Sequence, residues 1–586
     1  MVHKILFPIE PNRSRLLSEL WQYQLAENHI PDQAIHALAR AHGLSEVEVE
    51  GVVSFYHFFH RKPAGKHAIY LDNSIIAEIN GFENIKAALE KATNARLGSV
   101  DSTGTFGLYA TPCIGLSDQQ PAALIDFHPF VRLNAQKVNN IIAQLKQGKT
   151  AAEICDAPQD NIQYLPGNGR SIFFAPYSAG EAVGKLTGLS PESILELIQK
   201  ADIRGRGGAF YPTSQKWAAC RKHPATPKFI ICNADEGEPG TFKDRVLLNS
   251  QTGAMLEGMI IAGYTVGANY GIIYLRGEYR WLAAKIQREI DAFRAQGLLG
   301  VKAAGIPGFK FDIRIETGAG AYVCGEETAL LESLEGKRGE PRTKWFFPVE
   351  KGYLQLPTVV NNVETFCAIG RLLQMGLEAY CTRGIPGSPG TKLISVSGDC
   401  GLPGIYEMEW GLSIAELLDL CQAHDPFLIQ VSGPSGQTIA ADQVHARICM
   451  PGTRVENSVT CGGSFMVFGK ERDLLRILLN FSEFFKHESC GVCTPCRAGN
   501  FIIQRQLTHL LQGTGDMNDL LELKKWATLM EASSRCGLGK TAGNSVIDAM
   551  SNFKTYFANR FPETDTGGVR KFDLDSAVAE YENFKP

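Results

Sequence analysis

The sequence has no marked excess of charge of either sign. Its 586 residues include 58 Lys and Arg against 62 Asp and Glu, a formal net charge of −4. This balance gives no reason to expect a nucleic acid or an acidic membrane surface as a partner. The chain has no internal repeat or low-complexity tract, and 44% hydrophobic and 20% charged residues argue against disorder and coiled coil. At about 100–200 residues per domain, the length predicts several folded domains.

Signals for secretion and a disulfide framework are also missing. Pro8, Glu10 and Pro11 interrupt any apolar run near the start, so we expect no secretory signal peptide. Fifteen cysteines in so long a chain are too dilute for a disulfide scaffold. The sequence therefore predicts a cytoplasmic protein whose cysteines are reduced.

One uncharged segment resembles a membrane-spanning helix. Residues 258–275 carry no charge, and Gly263, Gly267 and Gly271 have the small-xxx-small spacing of paired membrane helices. The segment is barely long enough to cross a bilayer, and it contains several polar residues. The sequence instead predicts a buried helix that ends near Gly267, followed by a strand over 271–275, and no membrane span.

Several familiar catalytic and binding motifs are absent. No G-x-S-x-G or Ser-His-Asp pattern is evident, and His487-Glu488 has no second histidine to complete H-E-x-x-H. The glycine run at 204–209 lacks the G-x-G-x-x-G spacing of a Rossmann unit and follows a predicted helix rather than a strand. A hydrolase triad, a zincin and a Rossmann fingerprint are therefore not expected.

Hydrophobic periodicity divides the chain into five regions separated by loops. A Gly-, Pro- and Asn-rich stretch at 146–170 is typical of a linker, and the last twenty or so residues are predicted to form a solvated tail. The regions are a helical segment at 1–60, an α/β domain at 61–150, a larger α/β domain at 170–385, a small α+β unit at 386–470, and a helical bundle at 471–560.

The sharpest chemical signal is the cysteine cluster Cys490, Cys493 and Cys496. Three thiolates at this spacing converge when a loop wraps around a compact inorganic cluster, whereas structural zinc more often uses two separate C-x2-C knuckles. A [4Fe–4S] cluster needs a fourth ligand, for which Cys461 and Cys536 are candidates. Cys536 is favoured because one predicted helical hairpin, 507–530, folds it back onto the triplet. A zinc site and a thioredoxin-type redox pair are the alternatives.

Four polar loops in the larger α/β region indicate a second site. Glycine-rich backbone and Lys216 suit phosphate groups, while carboxylates suit ribose hydroxyls. One of the loops, 233–240, follows a predicted strand, where α/β sheets bind ligands. Abundant acid near a ribose would repel a 2′-phosphate, which favours NAD over NADP. The loops are 204–209 with Lys216, 233–240, 318–328 and 361–365.

Together these segments resemble the NADH-binding flavoprotein subunit of respiratory complex I and its relatives in soluble hydrogenases and formate dehydrogenases. The resemblance extends from about 170 to 560. The matching stretches are RGRGGA with YPT and KW at 204–217, CNADEGEPGTFKDR at 232–245, GAGAYVCGEETALLESLEGKRGEPR at 318–342, TVVNNVET at 358–365, and SCGVCTPCRAG at 489–499 with Cys536.

The resemblance implies FMN and NADH side by side, and a [4Fe–4S] cluster held by Cys490, Cys493, Cys496 and Cys536. The implied FMN residues are Gly205, Arg206, Gly207, Gly208, Lys216, Asn233, Asp235, Glu236, Gly325, Glu326, Asn361, Asn362 and Thr365. The implied NADH residues are Tyr211, Glu238, Glu327, Lys344 and Phe347.

Two aromatic positions depart from the family pattern. Family members usually carry Gly-Phe before Pro-Thr, where this chain has Phe210-Tyr211, and Ala219 replaces an aromatic residue after the tryptophan. Tyr211 or Phe210 is therefore the expected stacking partner of NADH. The 386–470 unit resembles the family's ubiquitin-like β-grasp domain, and 471–560 resembles its helical bundle.

The first 150 residues resemble the small thioredoxin-like subunit that normally partners this flavoprotein. That subunit binds a [2Fe–2S] cluster through C-x4-C and C-x3-C pairs. The first pair falls near Leu71 and Ile76, and the second reads Cys113 to Ser117 with one cysteine only, so three of the four ligands are missing. The resemblance implies a docking domain without a cluster.

The resemblance also implies the reaction and the partners. NADH would deliver hydride to FMN, and single electrons would pass through the [4Fe–4S] cluster, or the reverse. The fused docking domain resembles most the diaphorase alpha subunit of soluble NAD-reducing [NiFe] hydrogenases. Expected partners are a second diaphorase subunit with ferredoxin-like iron–sulfur clusters and the small and large [NiFe] subunits. The alternatives are an NAD-dependent formate dehydrogenase, a complex I NADH dehydrogenase and a non-catalytic zinc scaffold.

Overall fold

A computed structural model describes Phe7 and residues 10–561. The predicted solvated tail lies outside the described residues. The chain begins with three helices, and a Ser45–Glu48 capping box fixes the start of the third. Their apolar faces share one core with the back of the central sheet, including Trp21, Phe58, Phe229 and Tyr274. The helices are α1 (Leu16–Glu27), α2 (Asp32–His42) and α3 (Glu46–Val53).

A small mixed sheet follows, with strand order β2-β3-β1-β4-β5. The central β1 runs parallel to β3 and antiparallel to β4, and α5 and α6 cover one face with Leu89 and Val138 in the core. The elements are β1 (His67–Asp72), α4 (Ile75–Ile79), α5 (Phe82–Thr93), β2 (Ser99–Val100), β3 (Phe106–Thr111), β4 (Ala123–Ile125), β5 (His128–Phe130) and α6 (Ala135–Lys146).

The stretch at 146–170 is more than a linker, which corrects the prediction. It contains helix α7 (Ala151–Ile154) and strand β6 (Ile162–Tyr164). β6 pairs in parallel with a strand more than 200 residues later, Gly404–Glu409. A three-residue strand leaves no periodicity to read in a sequence, and its partner is distant, so composition alone suggested a linker.

The central domain holds a four-stranded, fully parallel sheet of order β10-β7-β8-β9. Helices cover both faces, so the strands read as continuous apolar runs such as 229–232. Its elements are α8 (Glu181–Gly184), α9 (Pro191–Lys200), α10 (Thr213–Lys222), β7 (Phe229–Ala234), α11 (Lys243–Ser250), α12 (Thr252–Val266), β8 (Tyr270–Leu275), α13 (Ala283–Ala295), β9 (Asp312–Thr317), α14 (Glu327–Leu334), α15 (Pro348–Lys351), β10 (Thr358–Asn362), α16 (Val363–Met375) and α17 (Leu377–Cys381).

The uncharged segment at 258–275 forms the end of α12 and the whole of β8. Gly267 ends the helix with a positive φ of 79°, as a left-handed C-terminal cap requires. Gly258 and Gly263 allow close packing, because a Cβ at Gly258 would lie 2.0 Å from the carbonyl oxygen of Phe366 on α16. The predicted helix–turn–strand is confirmed. Within the described part of the chain, no helix is both long enough and apolar enough to span a membrane.

The next domain is a mixed six-stranded sheet of order β16-β15-β19-β13-β14-β6, with α18 packed against it. A Ser413–Glu416 capping box starts α18. The pairing of β13 with the distant β19 is parallel, as in a β-grasp domain. The elements are β11 (Gly384–Ile385), β12 (Ser388–Pro389), β13 (Thr391–Gly398), β14 (Gly404–Glu409), α18 (Ile414–Leu420), β15 (Pro426–Val431), β16 (Gln437–Ala440), β17 (Arg447–Ile448), β18 (Ser458–Val459) and β19 (Ser464–Gly469).

A helical bundle completes the described chain. The hairpin predicted at 507–530 is present as α20 and α21, which pack closely because Gly499 lies against Met530. The helices are α19 (Leu474–Glu488), α20 (Thr494–Leu511), α21 (Met517–Ser533), α22 (Gly537–Thr541), α23 (Asn544–Asn552) and α24 (Lys554–Arg560).

Candidate functional site

A cleft of about 810 Å³ lies where the parallel strands of the central sheet end. The loops after β7 and β9 and the carboxyl end of β10 all open onto it, because parallel strands place their carboxyl ends at one edge. Most of the predicted ligand-binding residues line it: Gly205, Gly207, Gly208, Tyr211, Lys216, Asn233, Asp235, Glu236, Glu238, Gly325, Glu326, Glu327, Lys344, Asn361 and Asn362.

The glycine-rich loop forms one wall of the cleft. The Gly205 N–H donates to the carbonyl oxygen of Tyr211 at 2.9 Å, which closes the loop just before α10. Gly208 has a φ of 106°, and a Cβ there would project into open space. A Cβ at Gly207 would lie 3.3 Å from the Cβ of Asn362. The backbone of this loop can therefore approach a ligand closely, as a phosphate or a flat ring system requires.

Lys216 supplies a positive charge inside the cleft. Its ammonium group lies 3.1 Å from both Glu327 Oε2 and the carbonyl oxygen of Val360. Because Lys216 sits in the first turn of α10, it is held beside the glycine-rich loop. The side chain is 19% exposed, so the ammonium group remains accessible to an anionic ligand.

Two acidic residues of the loop after β7 face the cleft, and their carboxyl groups differ in hydrogen bonding. Asp235 Oδ2 is buried and has no hydrogen-bond partner among the described residues, and burial raises the pKa of Asp235 well above its usual value. Glu238 accepts hydrogen bonds from the Tyr322 hydroxyl at 2.5 Å and the Ser435 N–H at 2.9 Å. An unpaired buried carboxyl oxygen in the wall fits a ligand with hydroxyl or N–H groups, as FMN has.

Glu236 lines the cleft, but its carboxylate bonds to the protein. It accepts from the N–H groups of Asp244 and Arg245 at 2.8 and 3.1 Å, and from the Tyr279 hydroxyl at 2.9 Å. Burial, followed by the charge of Asp244, raises the pKa of Glu236 to about 7. The carboxylate therefore stabilises the first turn of α11 and fixes the loop before it.

Three predicted binding residues lie outside the cleft wall. The Arg206 guanidinium group points into the interior, where it donates to Glu364 Oε1 at 3.0 Å and the Tyr380 hydroxyl at 2.9 Å. Thr365 accepts from the Arg206 N–H at 2.9 Å and supports the loop from behind. Phe347 is 62% exposed at the start of α15 and does not line the cleft. Motif spacing places these residues near the site but does not show which way a side chain points.

The β-grasp domain forms a wall of the cleft that the sequence did not reveal. The sequence drew attention to Cys461 as a possible metal ligand, yet the residues around it, and not its thiol, line the cleft. A second glycine run at 462–463 is the signal that could have found this wall. The additional lining residues include Lys243, Asp244, Tyr322, Ser432, Ser435, Gly436, Gln437, Ser458, Thr460, Gly462, Gly463 and Ser464.

A buried group of charges lies beneath the glycine-rich loop. Glu364 is fully buried and contacts Arg206, Lys243 and Lys392. Burial alone would raise the pKa of Glu364, but the three cations lower it to about 2. Burial lowers the pKa of Lys392 to about 8, despite the attraction of Glu364. Because one carboxylate compensates several cations, Glu364 is central to the stability of this region.

The four cysteines of the predicted cluster site line a single cavity. Cys536, at the start of α22, lies beside Cys490, Cys493 and Cys496 because the α20–α21 hairpin brings the chain back. Cys461 lies in the β-grasp core, with its thiol 3.6 Å from the Ser464 carbonyl oxygen. The remaining lining residues are Val323, Pro341, Ser489, Val492, Arg535 and Leu538.

The surroundings of these thiols suit a polynuclear cluster. Ser489 Oγ and Asn500 Nδ2 lie 3.3 and 3.4 Å from Cys496 Sγ, so Cys496 is oriented by two polar groups. Within residues 10–561, no set of three or more His, Cys, Asp or Glu side chains lies close enough to hold a single metal ion. Cysteines around a four-iron cluster each bind a different iron atom and are therefore farther apart than around one zinc ion.

The cleft and the cysteine cavity share a wall. Val323, from the loop after β9, and Leu538, from α22, line both spaces. Both side chains are nearly fully buried and apolar. A ligand in the cleft and a cluster among the cysteines would therefore lie on opposite sides of a shared apolar wall.

The N-terminal sheet domain carries apolar side chains at the positions of the first missing cysteine pair. Leu71 and Ile76 are at most 1% exposed and belong to hydrophobic cores. Cys113 is buried beside Ser117 Oγ at 3.4 Å, and burial raises the pKa of its thiol to about 11. Cys113 is thus a protonated core thiol, which is consistent with the predicted docking role.

Three family models match the chain. The Nuo51 FMN-binding domain matches residues 198–371, the thioredoxin-like [2Fe-2S] ferredoxin matches 2–146, and the iron-sulfur binding region of NADH-ubiquinone oxidoreductase-F matches 476–560. The predicted fold class, with a thioredoxin-like domain, an FMN-binding domain and an iron–sulfur helical region, is confirmed by these matches and by the structural comparison below.

The chain is similar over nearly its whole length to a hydrogenase subunit. It is 44% identical to the NAD-reducing hydrogenase HoxS subunit alpha of Cupriavidus necator, over 99% of this chain and 97% of that protein. It is 37% identical to the NADP-reducing hydrogenase subunit HndC of Solidesulfovibrio fructosivorans, over 64% of this chain and 77% of that protein. A crystal structure of NAD+-reducing [NiFe]-hydrogenase in the H2-reduced state superposes with a TM-score of 0.86 at 34% identity, covering 97% of this chain and 96% of that chain.

Proposed function

This chain belongs to the family of FMN-binding iron–sulfur flavoprotein subunits that includes the alpha subunit of the NAD-reducing hydrogenase HoxS, and we propose that it works as the diaphorase subunit of such a hydrogenase. In this role it exchanges electrons between NAD(H) and a [4Fe–4S] cluster through FMN. When bound, FMN and the cluster supply the conversion between two-electron and one-electron chemistry, and the protein binds, orients and excludes water.

The observation that carries this proposal is the wall shared by the cleft and the cysteine cavity. Among the described residues, Val323 and Leu538 are the only two that line both spaces. A nucleotide-sized cleft next to a four-cysteine cavity is the arrangement that electron exchange between a flavin and a cluster needs. The apolar wall keeps water out of the path between them, which limits side reactions of reduced groups.

We assign the FMN site to the glycine-rich loop, Lys216, Asn233, Asp235 and the adjoining cleft residues. The unpaired Asp235 Oδ2 supports the assignment, because a flavin offers both ring N–H and ribityl hydroxyl donors. Gly325, Glu326, Asn361 and Asn362 belong to the same wall. Arg206, Glu236 and Thr365 act indirectly, since their side chains bond to the protein.

We assign the NAD(H) side to Glu238, Glu327, Lys344 and Tyr211. All four line the cleft, and Tyr211 is 52% exposed, so its ring is available for stacking on a base. Phe347 joins this side only if a ligand draws its exposed ring inward. The carboxylates favour ribose hydroxyls over a 2′-phosphate, which supports NAD(H) rather than NADP(H).

Electrons leave or enter through other chains in this proposal. The proposed partners are a second diaphorase subunit with ferredoxin-like clusters and the small and large [NiFe] hydrogenase subunits. The similarity to a subunit of an NAD-reducing hydrogenase supports a place in a multi-subunit enzyme. The thioredoxin-like domain serves as a docking domain without a [2Fe–2S] cluster. We place the complex in the cytoplasm, which is supported by fifteen cysteines, none of which forms a disulfide.

The direct test is the absorption spectrum of the purified chain with flavin and metal analysis. We expect one FMN and about four irons per chain, the content of one [4Fe–4S] cluster, and bleaching by NADH but not by NADPH. A colourless protein with stoichiometric zinc would overturn the proposal. About six irons would show that the thioredoxin-like domain holds a cluster. Copurification with a molybdenum subunit would point to a formate dehydrogenase instead.

Replacement of Lys344 should weaken NADH binding without releasing FMN. Lys344 is about half exposed at the mouth of the cleft, 4.0 Å from Glu326, so Lys344→Ala removes a charge that reaches the nucleotide. We expect the KM for NADH to rise about tenfold with little change in kcat, as loss of a charge-assisted hydrogen bond predicts. Glu238→Gln should act in the same direction. Lys302→Ala, on an exposed loop, is the control. Unchanged NADH kinetics in both cleft variants would contradict the assignment.

A further inference from the structure

The loop 113–118 of the thioredoxin-like domain lies directly behind the cleft. It occupies the place of the second, incomplete cysteine pair. Residues of the central domain connect it to the loop 233–240. Arg276 spans the two loops: its guanidinium group donates to the Cys113 carbonyl oxygen at 2.8 Å and to the Glu236 carbonyl oxygen. Arg276 Nε also donates to Glu278 Oε2 at 2.9 Å, which fixes the guanidinium plane.

Tyr279 makes a second connection between the loops. Its hydroxyl donates to Glu236 Oε2 at 2.9 Å, and its ring packs against Gly115. A Cβ at Gly115 would lie 2.0 Å from the Tyr279 hydroxyl oxygen, so no larger residue fits while Tyr279 stays in place. The position of Tyr279 therefore depends on the thioredoxin-like domain.

A buried ion pair makes the third connection. Arg245 Nη2 lies 3.0 Å from Asp118 Oδ1, and both side chains are fully buried. The backbone N–H of Arg245 donates to Glu236 Oε2 at 3.1 Å. All three connections thus meet at Glu236, whose neighbours Asp235 and Glu238 line the cleft.

We propose that the loop 113–118 acts as a brace for the ligand-binding loop 233–240, with Tyr279 and Arg276 as positioning residues that act through Glu236. The inference rests on the proposed function, in which FMN and NADH bind in this cleft. A displacement of about 1 Å at a ligand-positioning loop is enough to lower catalytic efficiency about 100-fold. In this chain the thioredoxin-like domain contributes to the flavin site by holding its geometry.

The test uses Gly115→Ala in the full chain, with Gly104→Ala as a matched control. Both glycines lie in the thioredoxin-like domain, with φ of 74° and 72°, so alanine adds the same backbone strain at each. Only Gly115 has a neighbour, because a Cβ at Gly104 meets nothing within 4 Å. We expect Gly115→Ala to weaken FMN binding about tenfold, measured by flavin fluorescence, and to speed amide hydrogen exchange in 233–240 of the flavin-free protein.

A second variant covers the case in which Gly115→Ala fails to fold. Tyr279→Phe keeps the ring and removes only the hydrogen bond to Glu236, and we expect FMN binding about fivefold weaker, as loss of about 1 kcal/mol predicts. If Gly115→Ala or Tyr279→Phe folds and shows the same FMN affinity and the same hydrogen exchange as Gly104→Ala, the proposed brace is overturned. Failure of the unmodified chain to bind FMN would overturn the proposed function instead, while hydrogen exchange would still test the brace.

Discussion

Replacing Cys536 with serine is expected to remove the iron–sulfur cluster while FMN stays bound. Cys536 lines the cavity with the cysteine triplet but lies outside the glycine-rich and carboxylate walls of the cleft. A serine hydroxyl is a poor ligand for iron–sulfur clusters compared with a soft thiolate. Iron should fall from about four atoms per chain, the content of one [4Fe–4S] cluster, to near zero. The flavin bands should remain and should still bleach with NADH.

The matched control for this experiment is Cys461→Ser. Cys461 is as well buried as Cys536 and was the other candidate for the fourth ligand, but its thiol faces the Ser464 carbonyl oxygen in the β-grasp core. Iron content should be unchanged in this variant, whereas NADH-driven reduction of a one-electron acceptor that takes its electrons from the cluster should be lost only in Cys536→Ser. Iron retained in Cys536→Ser and lost in Cys461→Ser would reverse the ligand assignment.

Glu364→Gln should cause a large loss of stability. Glu364 is the shared partner of Arg206, Lys243 and Lys392. Neutralising it leaves the buried Arg206 and Lys392 without a carboxylate partner among the described residues, whereas Lys243 keeps Asp244. We expect the free energy of unfolding of the central region to fall by about 3–5 kcal/mol, the cost of breaking a buried ion pair from one side. Urea denaturation followed by fluorescence measures the change. Glu378→Gln, on an exposed face of the nearby α17, should leave stability unchanged.

Protonation of Glu364 should also lower the stability of the folded protein at acid pH. The pKa of Glu364 is lowered from 4.5 to about 2 in the folded protein, so its stabilising effect is fully present above pH 4.5 and is lost as pH falls towards 2. Glu364→Gln has no such titration. Stability of the variant should therefore depend less on pH between 4.5 and 2 than that of the unmodified chain, and equal dependence would exclude Glu364 as the cause.

The sequence predicted those parts of the site whose residues follow a strand or a helical hairpin that is itself evident from the sequence. The loop 233–240 follows an obvious buried strand, and α/β sheets bind ligands at the carboxyl ends of their parallel strands, so the place of this loop at the site was predictable. Cys536 was accessible to prediction because a single helical hairpin separates it from the triplet. In both cases short-range signals fix the long-range contact.

Other features depend on contacts that no local pattern records. The side chains of Arg206 and Glu236 sit in binding motifs, yet their partners are Glu364, Tyr380 and Tyr279, far along the chain. The serine and glycine residues of the β-grasp wall reach the cleft only after two domains have packed. The direction of a side chain, unlike its place in a motif, follows from which buried partner satisfies its polar atoms.

Strand β6 affects how the N-terminal domain behaves on dilution. It continues the β-grasp sheet past β14, so the polypeptide leaving the thioredoxin-like domain is held in a second domain, and β14 is covered against pairing with other chains. A docking partner on a separate chain dissociates when its concentration falls below the dissociation constant. A tethered domain keeps a high effective concentration at its binding face whatever the concentration of the protein. The contact between the thioredoxin-like domain and the flavin site should therefore persist at nanomolar concentrations.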